Sequence, residues 1–160
     1  MCRHVLGQYD EALADFNRSY AIDDSLFTLV RRARLRYTRG ESAQADADFD
    51  LAAARAPDVA WIASERGDHY RLTGRHEEAS AALRDCLSRE PEDANSWAIL
   101  GELHRLRGEY EEALRHLDHA LSPSPDYGYA YAERARVYVA LGRTEEARAD
   151  LERSPTRDGS

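Results

Sequence analysis

His116 and His119 stand three residues apart, a spacing that puts two imidazoles on one face of a helix and within reach of a single metal ion. His104, on the preceding helix of the same hairpin, is the one further ring that a shared site would draw on. Catalytic zinc takes three protein ligands and structural zinc four, so the pair reads as plain surface and no metal is expected. His69 and His76 flank a helix end, and His76 holds a position that Tyr9 and Tyr110 occupy elsewhere, so packing accounts for it. Paired carboxylates are the other chemical candidates: Asp10-Glu11, Glu77-Glu78, Glu111-Glu112 and Glu145-Glu146. Acid–base work needs an apolar pocket that raises one of the two pKa values, and these pairs sit at solvated helix starts. All 22 basic residues are arginine. The absence of lysine excludes a phosphate-binding GxxxxGK[ST] loop, a Schiff-base enzyme and a lysine general base. With no Ser–His–Asp order and no glycine-rich phosphate loop in view, the chain is expected to be neither an enzyme nor a cofactor protein.

Charge points the same way. A formal charge of -8 over 160 residues repels phosphates, so neither nucleic acid nor an anionic membrane surface is an expected partner. There is no run of 18 apolar residues to span a bilayer, and the first residues lack an apolar core of signal-peptide length. Two cysteines, Cys2 and Cys86, make no disulfide framework, which fits a reducing, cytoplasmic setting. Cys86 shares a column with Ser19, Ala52, Ala120 and Ser154, and is read as a small buried hydrophobe.

The elements that must position these side chains announce themselves by repetition. "GEYEEALRHLDHAL" at residue 108 recurs 34 residues on as "GRTEEARADLERSP", and 34 back as "GRHEEASAALRDCL". Further back stand "GESAQADADFDLAA" from Gly40 and "GQYDEALADFNRSY" from Gly7. A fixed period near 34 marks an array of identical supersecondary units. Gly7, Gly40, Gly74, Gly108 and Gly142 each sit where a left-handed residue would end a helix. The acidic pairs then fall in the first turn of the next helix, at the positive end of its dipole. Ala12, Ala45, Ala79, Ala113 and Ala147 form a small-residue column, with Phe16, Phe49, Leu83, Leu117 and Leu151 one turn later on the same face. Ala33, Gly67, Gly101 and Ala135 supply the matching small surface on the preceding helix, so the two can approach closely. Pro57, Pro91 and Pro125 close each hairpin, and Asp24 holds that place in the first unit. The pattern predicts helices over 10–22, 26–39, 43–55, 60–73, 77–89, 94–107, 111–121, 128–141 and 145–152, the seventh cut short by Pro123. Residues 153–160 are expected to be a disordered tail.

Trp97, Leu100, Gly101, Tyr110, Ala113, Leu117, Ala120 and Pro125 resemble the tetratricopeptide repeat. The likeness runs over residues 1–152 as about four and a half units: a partial first repeat over 1–25, mainly its second helix, then 26–59, 60–93, 94–127 and a shortened 128–152. Arg32, Arg66 and Arg134 depart from it, standing where the family usually has leucine. The related RNA-reading helical repeat has a period of 35, and the acidic charge argues against it. The resemblance implies an all-α fold, a right-handed superhelical solenoid of antiparallel helix–turn–helix repeats. It also implies a concave groove lined by the first helix of each hairpin, holding a protein or peptide. Carried onto this chain, the groove columns are Phe27, Trp61, Asn95 and Tyr129; Val30, Ser64, Ala98 and Ala132; Arg34, Asp68, Glu102 and Arg136; and Tyr37, Arg71, Arg105 and Val139. Aromatic and arginine side chains are the usual anchors of interfaces. The clamp with which chaperone-tail-binding members hold a C-terminal carboxylate is not carried over, since lysine is absent and Val30, Glu65 and Ile99 stand at groove positions it would need. Arg34 is expected to pair with Asp68, and Glu102 with Arg136. That would leave Arg71 and Arg105 to meet an acidic or C-terminal group of the partner.

Two rival readings are an assembly module that uses its repeats to oligomerise, and a regulatory fragment of a larger signalling protein or NTPase. Solenoid units cannot bury their apolar faces alone. The first unit, with only "MCRHVL" before Gly7, and the short last one are both expected to expose apolar surface. A homodimer through Leu13, Phe16 and Tyr20 follows as the expected way of covering it.

Overall fold

The computed structural model describes residues 3–154, with side chains from residue 8 onward, and all of its regular structure in that range is α-helical. The helices are α1 (Arg3–Asp23), α2 (Leu26–Thr38), α3 (Ser42–Arg55), α4 (Ala60–Leu72), α5 (His76–Arg89), α6 (Ala94–Leu106), α7 (Tyr110–Leu121), α8 (Gly128–Ala140) and α9 (Thr144–Arg153). They fall into two compact units, residues 1–65 and 66–160, with the boundary inside α4. In the first unit α2 packs against α1 and α3; in the second, α6 packs against α5, α7 and α8, and α9 against α8. The expected tail lies mostly in residues 155–160, outside the described range.

Four of the five glycine turns form as the repeat requires. Gly40, Gly74, Gly108 and Gly142 have φ between 74° and 81°. In the first of them the Gly40 N–H donates to Tyr37 O and the Glu41 N–H to Arg36 O, at 2.8 and 2.9 Å. This crossed pair of bonds satisfies carbonyls that the helix end would orphan, and it requires a left-handed residue at the glycine. Gly7 differs: α1 runs through it unbroken, so the expected helix over 10–22 becomes Arg3–Asp23, and Asp10-Glu11 sit mid-helix rather than in a first turn. The four glycine turns each end a helix, whereas α1 continues through Gly7 and keeps its backbone bonds there. Pro123 acts as expected, and α7 has 12 residues where α3 and α5 have 14.

The small-residue columns set how closely the hairpin helices approach. Ala33, Ala45, Ala79, Ala113 and Ala147 are buried. A Cβ on Gly101 would lie 2.6 Å from Leu117 Cγ and 3.2 Å from the Ala113 carbonyl, and one on Gly67 2.7 Å from Leu83 Cγ. The first unit's core is Leu29, Val30, Ala33, Phe49, Ala52 and Ile62. The second is built on Leu83, Ile99, Leu100 and Leu103, and on Ala98, Leu117, Ala130 and Val137. Cys86 is a fully buried thiol in this packing.

Two of the three arginines in leucine positions, Arg32 and Arg134, pair with an aspartate on the other helix of their hairpin. Arg32 donates from Nε and Nη2 to the two oxygens of Asp48, at 2.9 and 2.7 Å. Arg134 repeats the fork on Asp150, at 2.7 Å for both bonds. Each pair joins the two helices of one hairpin, and each aspartate is buried.

Candidate partner-binding faces

The leading helices α2, α4, α6 and α8 carry the candidate residues, and each face is set by which of their side chains the hairpin core leaves uncovered. In the first unit Phe27 is 58% exposed and Trp61 37%, the Arg31 guanidinium lying 4.9 Å from the Phe27 ring centroid. Tyr37 is half-buried. Arg34 pairs with Glu65 at 3.0 Å, not with Asp68 as its column suggests. A guanidinium at an i position of α2 meets the residue that α4 presents opposite it, and that residue is one turn earlier than Asp68. The column of Val30, Ser64, Ala98 and Ala132 is not groove lining: the first three are buried and Ala132 is half-buried. Short side chains there let neighbouring helices close up, which removes them from the surface.

In the second unit the expected pairing of Glu102 with Arg136 gives way to a longer ladder. Arg71 holds Asp68 at 2.7 Å and Glu102 at 3.2 Å. Arg105 donates to Glu133 at 2.9 Å, and Arg136 binds the other oxygen of the same carboxylate. Arg71 and Arg105 are therefore engaged, and the expectation that they wait as uncommitted cations is corrected. Two phenols complete the face. Tyr129 donates to Glu102 at 2.5 Å, and Tyr127 to Asn95 Oδ1 at 2.9 Å. Burial first, and then the negative charge of Asp68 and Asp93, pushes the Tyr127 hydroxyl up to about 12. Burial and the Glu102 carboxylate push Tyr129 further in the same direction, so both phenols stay protonated donors.

Glu133 and Tyr127 escape a column-by-column reading. Glu133 shares a column with Glu65 and Ile99, one of them apolar, so nothing in the column marks it as a charged strut. The signal that finds it is local: it precedes Arg136 by three residues, which puts both on one helical face.

The histidines cluster without forming a ligand set. His104 and His116 have ring centroids 4.7 Å apart, and Trp97 stacks on His119 at 4.8 Å. His104 Nδ1 lies 2.5 Å from a Glu109 oxygen, and His116 Nδ1 lies 2.9 Å from the Glu112 carbonyl. Burial, with help from His104 and His119, holds His116 below the usual imidazole pKa. Among the described residues no group of three His, Cys, Asp or Glu is arranged to hold a metal ion.

The residues expected to carry self-association divide by position. Leu13, Phe16 and Tyr20 are half-buried in the first unit. Tyr20 lies 4.6 Å under the Arg32 guanidinium, and its hydroxyl accepts from Arg55 at 3.0 Å, so it serves the packing of α1 on α2. Apolar side chains are exposed toward both ends, Ile22 on α1 and Val139, Leu141 and Leu151 in the last hairpin. No described helix is long and apolar enough to cross a membrane.

Two sequence profiles of the tetratricopeptide repeat match the chain, over residues 64–128 and 104–159. Comparison with curated proteins returned no match. Among solved structures, a thermophilic tetratricopeptide-repeat protein of Thermus thermophilus is similar at 25% identity and a TM-score of 0.79, over 97% of this chain and 87% of that one. A tetratricopeptide-repeat protein from Parabacteroides merdae gives 23% and 0.76, over 99% of this chain and 62% of that one. MamA gives 18% and 0.72, over 95% and 90%. These likenesses bear out the expected repeat type and the all-α solenoid class.

Proposed function

Because the chain belongs to the tetratricopeptide-repeat family, we propose that it is a non-catalytic protein-interaction scaffold, holding a partner protein or peptide against the exposed faces of its leading helices. The observation that supports this most directly is the contrast between aromatic positions. Phe27 and Trp61, on successive leading helices, stand out into solvent, whereas Phe49, on a trailing helix, is buried. Large rigid aromatics anchor interfaces at small entropic cost, and leaving two of them exposed has no packing benefit. The charge of -8 argues against nucleic acid or an anionic membrane as the partner. A buried thiol in a chain of two cysteines fits a cytoplasmic site of action. The test is affinity capture from the native source with the wild type and with the double variant Phe27→Ala, Trp61→Ala. The variant should keep its helical content and melting behaviour while losing the proteins that the wild type retains. Full retention of every one of them would remove these faces from the reading.

Self-association into a dimer is a second reading, favoured by the exposure of Leu141 and Leu151 rather than by Leu13, Phe16 and Tyr20. Light scattering across a hundredfold range of concentration decides it: a dimer that Leu151→Glu dissociates supports it, and a monomer throughout ends it.

A further inference from the structure

The polar groups on the α4–α6–α8 face of the second unit sort by sign. On the α4 side Asp68 and Glu102 hold Arg71 between them, two carboxylates on one guanidinium, which leaves a formal charge of -1. On the α8 side the count inverts. Glu133, 1% exposed, takes Arg105 on one oxygen and Arg136 on the other, two guanidinium groups on one carboxylate, a formal charge of +1. The outer members reach solvent: the Asp68 side chain is 24% exposed and that of Arg136 59%. A ladder serving stability alone would balance each cluster. This one balances only in sum, so the face carries a dipole running from α4 to α8.

We propose that this face selects a protein segment bearing one basic and one acidic side chain about three residues apart, the basic group against Asp68 and Glu102 and the acidic group against Arg105 and Arg136. The inference rests on the scaffold reading above and adds the charge pattern of the partner. The spacing follows from the geometry of packed helices. The clusters share α6, so their centres lie about one helix separation apart, roughly 10 Å. An extended chain covers that distance in about three residues. A segment with two like charges meets repulsion at one cluster for every attraction at the other. Each contact is partly exposed and weak by itself, so the selectivity is screened by salt within about 10 Å at 0.1 M.

The test uses three capped ten-residue peptides, identical except at two positions three apart, which carry Lys and Glu, two Lys or two Glu. Each is titrated at low salt into the isotope-labelled full chain and followed by NMR. The mixed peptide should bind roughly threefold tighter than either like-charged one, shift amides of α4, α6 and α8 most, and lose its lead at 0.5 M salt. Asp68→Asn should erase its lead over the two-Glu peptide, and Arg136→Gln its lead over the two-Lys peptide. Both side chains are outer members of their clusters, and melting curves of the variants confirm the fold. Equal binding of all three peptides at this face overturns the charge pattern and leaves the scaffold reading standing. Failure of every peptide to shift these helices overturns the charge pattern too, while the scaffold reading stands or falls on the Phe27 and Trp61 capture.

Discussion

Gly101 shows how much a single hydrogen atom settles. Its Cα faces Leu117 and the Ala113 carbonyl so closely that a methyl group would sit 2.6 Å from Leu117 Cγ, well inside contact distance. Gly101→Ala should therefore cost about 1–3 kcal/mol through overpacking, despite alanine's better helix propensity. Glu111→Ala, on the exposed first turn of α7, should cost a few tenths of a kcal/mol. Thermal melts ranking the two the other way would show that the close face has been misassigned. The Trp97-histidine cluster supplies a residue-scale pH dependence. Burial lowers the His116 pKa in the folded state, so the unfolded chain takes up its proton first as pH falls. The stability linked to this ring is complete above the unfolded value of about 6.5 and is lost as pH drops through that value towards the lowered folded one. Melting midpoints at pH 7.5 and 5.5 should differ more in the wild type than in His116→Gln; equal differences would mean that the ring titrates as it does in water.

At the scale of the element, the hairpin is fixed by two devices, only one of which is legible from the columns. The small-residue faces and the glycine turns can be read because each lies within one helix and recurs every 34 residues. The buried ion pairs escape that reading: Arg32 looks like a lapse from leucine until Asp48, on the other helix, is seen beneath it. The pairing interval is 16, and it recurs in Arg134–Asp150. Removing Asp150 takes the fork of two bonds from Arg134 and leaves it one carboxylate, the exposed Asp118 at 2.6 Å. Asp150→Ala should cost about 2 kcal/mol, the worth of the lost charge-assisted bonds, whereas Arg134→Leu together with Asp150→Ala should recover most of that loss, because the arginine column then returns to an apolar contact. Urea denaturation of the wild type and the two variants measures both effects; an additive double variant would show that the pair is not coupled. The polar part of the candidate site was only half legible for the same reason. The identities in the groove columns follow from the repeat, but which charge meets which depends on the offset between neighbouring helices. The interval is not constant: 31 residues from Arg34 to Glu65 and 28 from Arg105 to Glu133. Gly7 is the opposite case, a column residue at which no turn forms and α1 runs on.

The whole molecule inherits the additive character of its units. Repeats contact only their neighbours, so local stability follows how much apolar surface each helix buries against the two beside it. By that measure α6 is the centre of the second unit: Ser96, Ala98, Ile99, Leu100, Gly101 and Leu103 are all buried, and α5, α7 and α8 pack around it. α9 buries only Ala147 and Asp150, and its Leu151 stays exposed. Opening α9 costs few contacts and can occur without disturbing α6, whereas exposing α6 means dismantling three interfaces at once. Amide hydrogen exchange should therefore be graded, with α6 and α7 slowest and exchanging near the global unfolding free energy, and α9 fastest, through local opening. Breaking the Arg134–Asp150 pair should speed exchange in α9 and leave α6 almost unchanged at low denaturant. If every helix of the second unit exchanged at one rate, and Asp150→Ala slowed or hastened them all together, the unit would be a single cooperative block. A partner bound across α4, α6 and α8 would then have no separable hairpin through which to alter the last one.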